Sequence, residues 1–173
     1  MIYKMNYQSP IGPLTIASDG RNIVGLWMDG QKYYGGSVDS IMTIREDLPV
    51  FQLTRGWLDK YFAGKRPDIS DLPLAPNGSE FRKSIWKQLC EIPYGSVVTY
   101  GDIAKKLGCK SAQAIGGAVG HNPISVIIPC HRVVGTSGSL TGYAGGMAKK
   151  MKLLESEGVD LSKFRVPTSG TAI

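Results

Sequence analysis

The chain has 173 residues, enough for one large domain or two small ones with a sizeable core, and a formal net charge of +6. It has no apolar run of about 18 residues, which excludes a membrane-spanning helix, and Met1-Ile2-Tyr3-Lys4-Met5-Asn6-Tyr7 lacks the apolar centre of a signal peptide. Three cysteines make no disulfide framework, and with two histidines they show no metal-ligand spacing, so the expectation is a reducing, cytoplasmic setting with no metal.

The charge is unevenly placed. Residues 1–77 carry eight Lys/Arg against eight Asp/Glu; residues 78–173 carry twelve against six. The whole excess lies in the second half, as expected of a surface that meets a polyanion.

Residues 2–8, 12–18 and 21–28 alternate as three short strands around turns at Pro10-Ile11-Gly12 and Asp19-Gly20, an antiparallel meander. Gly30 to Asp47 is a polar connection with no assignable element. Pro49 suits a first helical turn, and Leu53, Trp57, Leu58, Tyr61 and Phe62 recur at helical spacing up to Gly64. Pro67, Pro73, Pro76 and Gly78 mark residues 65–78 as the linker. The predicted domains are therefore 1–77 and 78–160, with a poorly ordered tail over 161–173.

Ser79 caps a helix over about 80–91 with Phe81, Ile85, Trp86 and Leu89 on its apolar face. Thr99-Tyr100-Gly101-Asp102 has the form of a capping box, with Asp in the usual Glu/Gln place, and opens a helix that Gly108 ends. Ser111 caps another through about Gly120, and the pair suggests a helix-turn-helix. The second of these reads Ala112-Gln113-Ala114-Ile115-Gly116-Gly117, and only Gln113 could reach a base edge. A sequence-specific reader would present several polar side chains. Small residues instead permit close backbone approach, whether of a minor groove or of a neighbouring helix. Residues 135–146, with five glycines, form a long loop, and 147–157 is helical by pattern.

Between these helices lies Asn122-Pro123-Ile124-Ser125-Val126-Ile127-Ile128-Pro129-Cys130-His131-Arg132-Val133. Val126-Ile127-Ile128 reads as a strand that Pro129 ends. A lone cysteine is usually a buried, inert thiol. His131, the cation Arg132 and the position after a strand all favour a nucleophilic thiolate instead. Were the strand to continue, Cys130 and His131 would point to opposite faces, so cooperation requires a turn here or a bridging water.

Pro129-Cys130-His131-Arg132-Val133, with Asn122-Pro123 before it and Gly142-Tyr143-Ala144-Gly145-Gly146 after it, closely resembles the O6-alkylguanine-DNA alkyltransferases, densely over residues 80–158. The resemblance implies an α+β fold. A small N-terminal antiparallel sheet and helix with a ribonuclease H-like outline precede a mostly helical domain, whose helix-turn-helix and short strand lead to the active-site cysteine. It implies direct reversal of DNA damage. Cys130 takes the alkyl group from O6-alkylguanine, or from O4-alkylthymine, in double-stranded DNA and keeps it, so each molecule acts once. His131 would be the base, acting through a water. Glu157 would orient it, Asn122 would brace the active-site turn, and Tyr100 would press on the phosphate and protonate the departing base. Tyr143 would line the alkyl pocket, while the Ala144 amide and the carbonyls of Cys130 and Val133 would contact the guanine edge, with Lys150 in the pocket. Ala112, Gln113, Ala114, Gly116 and Arg132 would face DNA. Two positions depart from the family: Gln113 stands where an arginine fills the gap left by the flipped base, and Ala144 where a serine follows the pocket tyrosine. No cofactor motif is present and none is needed. A monomer is expected. Two rival readings stay open: a cysteine hydrolase would turn over and need no basic half, and a DNA-binding regulator would leave Cys130 unexplained.

Overall fold

The computed structural model describes residues 1–38 and 40–167. Contacts divide the chain into two compact units. One comprises Met1–Gly78 together with Pro123–Ile127, and the other the rest of the chain from Ser79 onward.

In the first unit, β1 (Ile2–Ser9), β2 (Gly12–Ser18) and β3 (Ile23–Met28) form the expected meander. A fourth strand, β4 (Met42–Ile44), lies in the connection that had no assignment. It pairs parallel to β1, so the sheet is mixed, in the order β3-β2-β1-β4. Period-2 alternation places Met5, Tyr7, Leu14 and Ile16 in the core. Helix α1 (Pro49–Phe62) buries Phe51, Trp57, Leu58 and Tyr61, whereas Leu53 stays 48% exposed. The proline-rich stretch is no free linker. Ile23 N donates to Pro73 O at 2.7 Å and Ala75 N donates to Ile23 O at 2.8 Å, which stitches it along β3.

The segment expected to be a strand before Cys130 is a series of turns. Ile124 makes a single parallel bridge to Leu26, with Leu26 N donating to Pro123 O at 2.8 Å and Ser125 N to Leu26 O at 3.0 Å. Val126 then adopts a left-handed backbone conformation, φ 71°. A β-branched residue there costs of the order of 1–3 kcal/mol and breaks any ladder. The β-branched run encodes burial, with Ile124, Val126, Ile127 and Ile128 all 2% exposed or less, rather than extension.

The second unit is helical: α2 (Glu80–Cys90), α3 (Tyr100–Leu107), α4 (Ala112–Gly120) and α5 (Met147–Ser156). On α2, Ile85, Trp86 and Leu89 are buried, and Trp86 Nε1 donates to Ala118 O of α4 at 2.8 Å. Phe81, assigned to the same face, is 40% exposed because it sits in the first turn, beyond that contact. The capping box is complete: Thr99 Oγ1 accepts from Asp102 N at 3.0 Å and Thr99 N donates to Asp102 Oδ2 at 2.9 Å. Gly108 closes α3 at φ 65°, and Ser111 caps α4 through Ala114 N. Two short strands, β5 (Val98–Thr99) and β6 (Val133–Val134), pair in parallel on either side of the site. The strand adjoining Cys130, β6, therefore follows it instead of leading to it.

The expected tail is partly built in. Leu161 and Phe164 pack on a cluster of Val134, Leu140 and Leu154, and Leu140 N donates to Arg165 O at 2.8 Å. Residues 168–173 lie outside the described residues. No helix among the described residues is long and apolar enough to cross a membrane.

Candidate active site

Cys130, His131 and Arg132 form one 3-10 turn whose cap is Pro129. A 3-10 turn separates successive side chains by about 120° instead of a strand's 180°, so thiol, imidazole and guanidinium fan out from one point. The turn is held from before and after. Asn122, two residues beyond the end of α4, donates from Nδ2 to Ile128 O at 2.7 Å. After it, β6 pairs Val133 with Val98 and Val134 with Thr99, and the phenol of Tyr100, the next residue, feels the charge of Cys130.

The thiol is 6% exposed. Burial pushes it up, and the Asn122 side chain, the Lys150 charge and the Tyr143 hydroxyl oppose that rise. Lys150, on α5, is fully buried. Its Nζ donates to Val133 O at 2.7 Å and Leu140 O at 2.6 Å. Burial lowers the ammonium to about 8, while Cys130 favours the charge. An ammonium among carbonyls beside a thiol favours the thiolate.

His131 is fully buried. Its Nε2 lies 2.7 Å from Glu157 Oε2. Glu157, the residue that caps the C-terminus of α5, is 4% exposed. Its carboxylate also accepts from Arg132 Nε at 2.8 Å, Arg132 Nη2 at 3.1 Å and Gly95 N at 3.0 Å. Burial alone would raise its carboxyl, but the hydrogen bonds from His131 and Arg132 and the Arg132 charge outweigh it and hold the group well below the usual range. An ionised carboxylate only accepts, so the shared proton belongs to His131 Nε2. Burial keeps the imidazole neutral by lowering it below its ordinary value, against the pull of Glu157. Nδ1 is then the basic nitrogen, and among the described residues it has no hydrogen-bond partner.

Tyr100 Oη accepts from Thr141 Oγ1 at 3.4 Å, and burial raises its phenol, keeping it protonated near neutral pH. Ala144 follows Tyr143 in the half-exposed loop.

The remaining positions expected to face DNA are on α4. Ala112 and Gln113 are exposed at its start and Ala114 is half-buried. A Cβ added at Gly116 or Gly117 would meet nothing within 4 Å. Packing within the chain therefore does not require glycine at either position. Arg132 does not belong with that group. It is 6% exposed, and all three guanidinium nitrogens donate inside the protein, Nη1 to Ile92 O at 2.7 Å and the other two to Glu157. The side chain expected to face DNA is here an internal brace, its donors engaged by Glu157 and Ile92 O.

Gly95 carries no signal in the sequence that would place it in the site. Its φ is +81°, its N–H holds Glu157 Oε1, and a Cβ would lie 2.9 Å from Glu157 O. Thr141 and the Ile92 carbonyl carry none either. Each acts on a partner far off in sequence, which no local pattern announces.

Comparison with known proteins follows the same division. The model of the 6-O-methylguanine DNA methyltransferase ribonuclease-like domain matches residues 2–76, and that of the DNA binding domain matches residues 80–159. The chain belongs to the methylated-DNA–protein-cysteine methyltransferase family. The Haemophilus influenzae member is 41% identical over 157 residues, covering 90% of this chain and 86% of its own. The Mycobacterium tuberculosis H37Rv member is 42% identical over 172 residues, covering 99% and 98%. The structure of Mycobacterium tuberculosis OGT in complex with DNA matches with a TM-score of 0.80 at 40% identity, covering 94% of each chain.

Proposed function

We propose that this protein is a DNA-repair alkyltransferase that removes the alkyl group of O6-alkylguanine, and of O4-alkylthymine, by moving it to its own Cys130. The observation that carries this reading is the buried line Glu157–His131 ending in a free Nδ1 on the residue next to a buried thiol. Membership in the family supports it.

The chemistry runs in one direction. His131 Nδ1 accepts the thiol proton through a water molecule, and Glu157 stabilises the imidazolium. The Cys130 sulfur attacks the alkyl carbon in line. A C–S bond forms, the C–O6 bond breaks, and its electron pair leaves with guanine. Tyr100 returns a proton to the departing base, while Lys150 steadies the thiolate and the Val133 carbonyl. The product is a thioether. Neither a neutral imidazole nor water cleaves it readily, so one protein molecule accepts one alkyl group.

The damaged base must leave the duplex, at a cost of a few kcal/mol. The small, open face of α4 suits approach to the minor groove, with Gln113 reaching toward the gap. The +6 excess of the second half supplies phosphate attraction. With labelled O6-methylguanine duplex in excess, methyl uptake should plateau at one per protein molecule. Continued release of labelled methanol would instead make this a hydrolase, and binding without uptake would make it a regulator.

A further inference from the structure

The geometry points to Arg132 as a positioning residue for thiol activation: with Gly95 it pins the Glu157 carboxylate, so that His131 keeps its proton on Nε2 and offers Nδ1 to the thiol. This rests on the reading of Cys130 as alkyl acceptor.

Each Glu157 oxygen is taken twice over. Oε1 accepts from Arg132 Nε and Gly95 N, and Oε2 from Arg132 Nη2 and His131 Nε2. Two parallel bonds from a planar fork fix the plane of the carboxylate as well as its place. A carboxylate so occupied presents Oε2 to the imidazole in a single orientation. The guanidinium is itself fixed. Nη1 donates to Ile92 O, and the group lies 5.8 Å from the centre of the Tyr94 ring, whose hydroxyl donates to Ser156 O at 3.1 Å. The turn Ile92–Gly95 and the end of α5 are thus tied together through Arg132 and Glu157.

The permanent cation has a second effect. Glu157 pulls a proton toward His131, which as imidazolium would have no lone pair for the thiol; burial is the main force against that pull, and the Arg132 charge adds to it. Arg132 shares the carboxylate's charge and opposes a second cation beside it. The charged and titratable groups facing His131 are Glu157, Arg132 and Lys150, with Cys130 adjacent. Those facing Arg132 are Glu157, His131, Tyr94 and Cys90. Arg132 and Lys150 both disfavour the imidazolium, and Glu157 alone favours it. Losing Arg132 therefore moves His131 toward its protonated form.

The test uses the full chain, with O6-benzylguanine as a free-base substrate that needs no DNA contact. In Arg132→Met the acid limb of the rate profile should move up by about one pH unit, about tenfold in rate on that limb. The imidazole ¹⁵N resonances of His131 should show imidazolium at a pH where wild type is neutral. Added to Glu157→Gln, Arg132→Met should lower the plateau rate far less than it does alone, because the group it positions has already lost its charge. That double variant removes both charges together and leaves no orphaned carboxylate. If Arg132→Met does not fold, Arg132→Lys decides. A single ammonium cannot span both oxygens and Ile92 O, so its rate should fall with duplex affinity kept. Wild-type rate, pH profile and His131 spectrum in the folded variant would overturn the proposal. So would normal reaction with O6-benzylguanine accompanied by weakened duplex binding, which would make Arg132 a phosphate contact. A wild-type protein that takes up no alkyl group would instead overturn the reading of Cys130, and the His131 spectra would still report on Arg132.

Discussion

The two units bury different kinds of side chain. Among the described residues, the first buries Ser18, Gln31, Thr54 and Ser125 as its polar groups, all uncharged. The second buries Asn122, His131, Arg132, Lys150 and Glu157, four of the five ionisable. Even the buried Tyr7 of the first unit stays neutral, because burial and its 2.6 Å bond to Asp59 raise its phenol. Buried charge is costly unless paired and hydrogen-bonded. The first unit fills its core with Trp27, Phe51 and Leu58 instead. On the proposed reading, these buried ionisable groups surround the reacting thiol.

The sharpest break of that comparison is at the thiol. Cys130→Ser should bring alkyl transfer down to background, because a hydroxyl is far less ionised than a thiol near neutral pH. Duplex affinity, measured by fluorescence anisotropy, should persist. Residual transfer to this variant would remove Cys130 from the role of acceptor.

Glu157→Gln comes next. Loss of the carboxylate that stabilises the imidazolium should slow transfer by about 10²-fold. Stability carries a separate signature. The folded carboxyl titrates below its unfolded value, so its contribution is complete above the usual glutamate range and is lost as pH falls through and below it. Wild type should lose stability in acid over that window, and Glu157→Gln should lose less, as read by denaturant midpoints at several pH values.

How much of this was legible beforehand follows the same division. Periodicity and caps gave the first unit's meander and helix, and the Thr99 capping box was readable residue by residue, because those signals are local. The turn before Cys130 was misread: Val126-Ile127-Ile128 has strand composition, but Val126 at φ 71° answers to burial and to the bridge at Ile124. The connection holding β4 had no pattern because its partner, β1, lies about forty residues away. In the site, Cys130, His131 and Glu157 were named from a motif, whereas Gly95 and the true place of Arg132 depend on contacts across 62 and 25 residues.

A break in the first unit should look different. Leu58→Ala, at a fully buried position of α1, should cost about 2–5 kcal/mol of stability. The surviving folded protein should react with O6-benzylguanine at the wild-type rate. A changed rate per folded molecule would show that the first unit takes part in the chemistry.

The smallest expected effect is at Gln113. Gln113→Ala should react normally with the free base and a few-fold more slowly with methylated duplex, since a glutamine bonds but brings neither charge nor a stacking plane. Equal slowing on both substrates would move Gln113 from the groove to the pocket.

The most direct measurement is peptide mass mapping after exposure to one equivalent of O6-methylguanine duplex. The account predicts a single methyl on the peptide carrying Cys130, with Cys90 and Cys109 unmodified. Burial pushes the Cys90 thiol up to about 11, which leaves it un-ionised. A methyl on Cys90 or Cys109, or repaired duplex with no methyl on the protein, would contradict it.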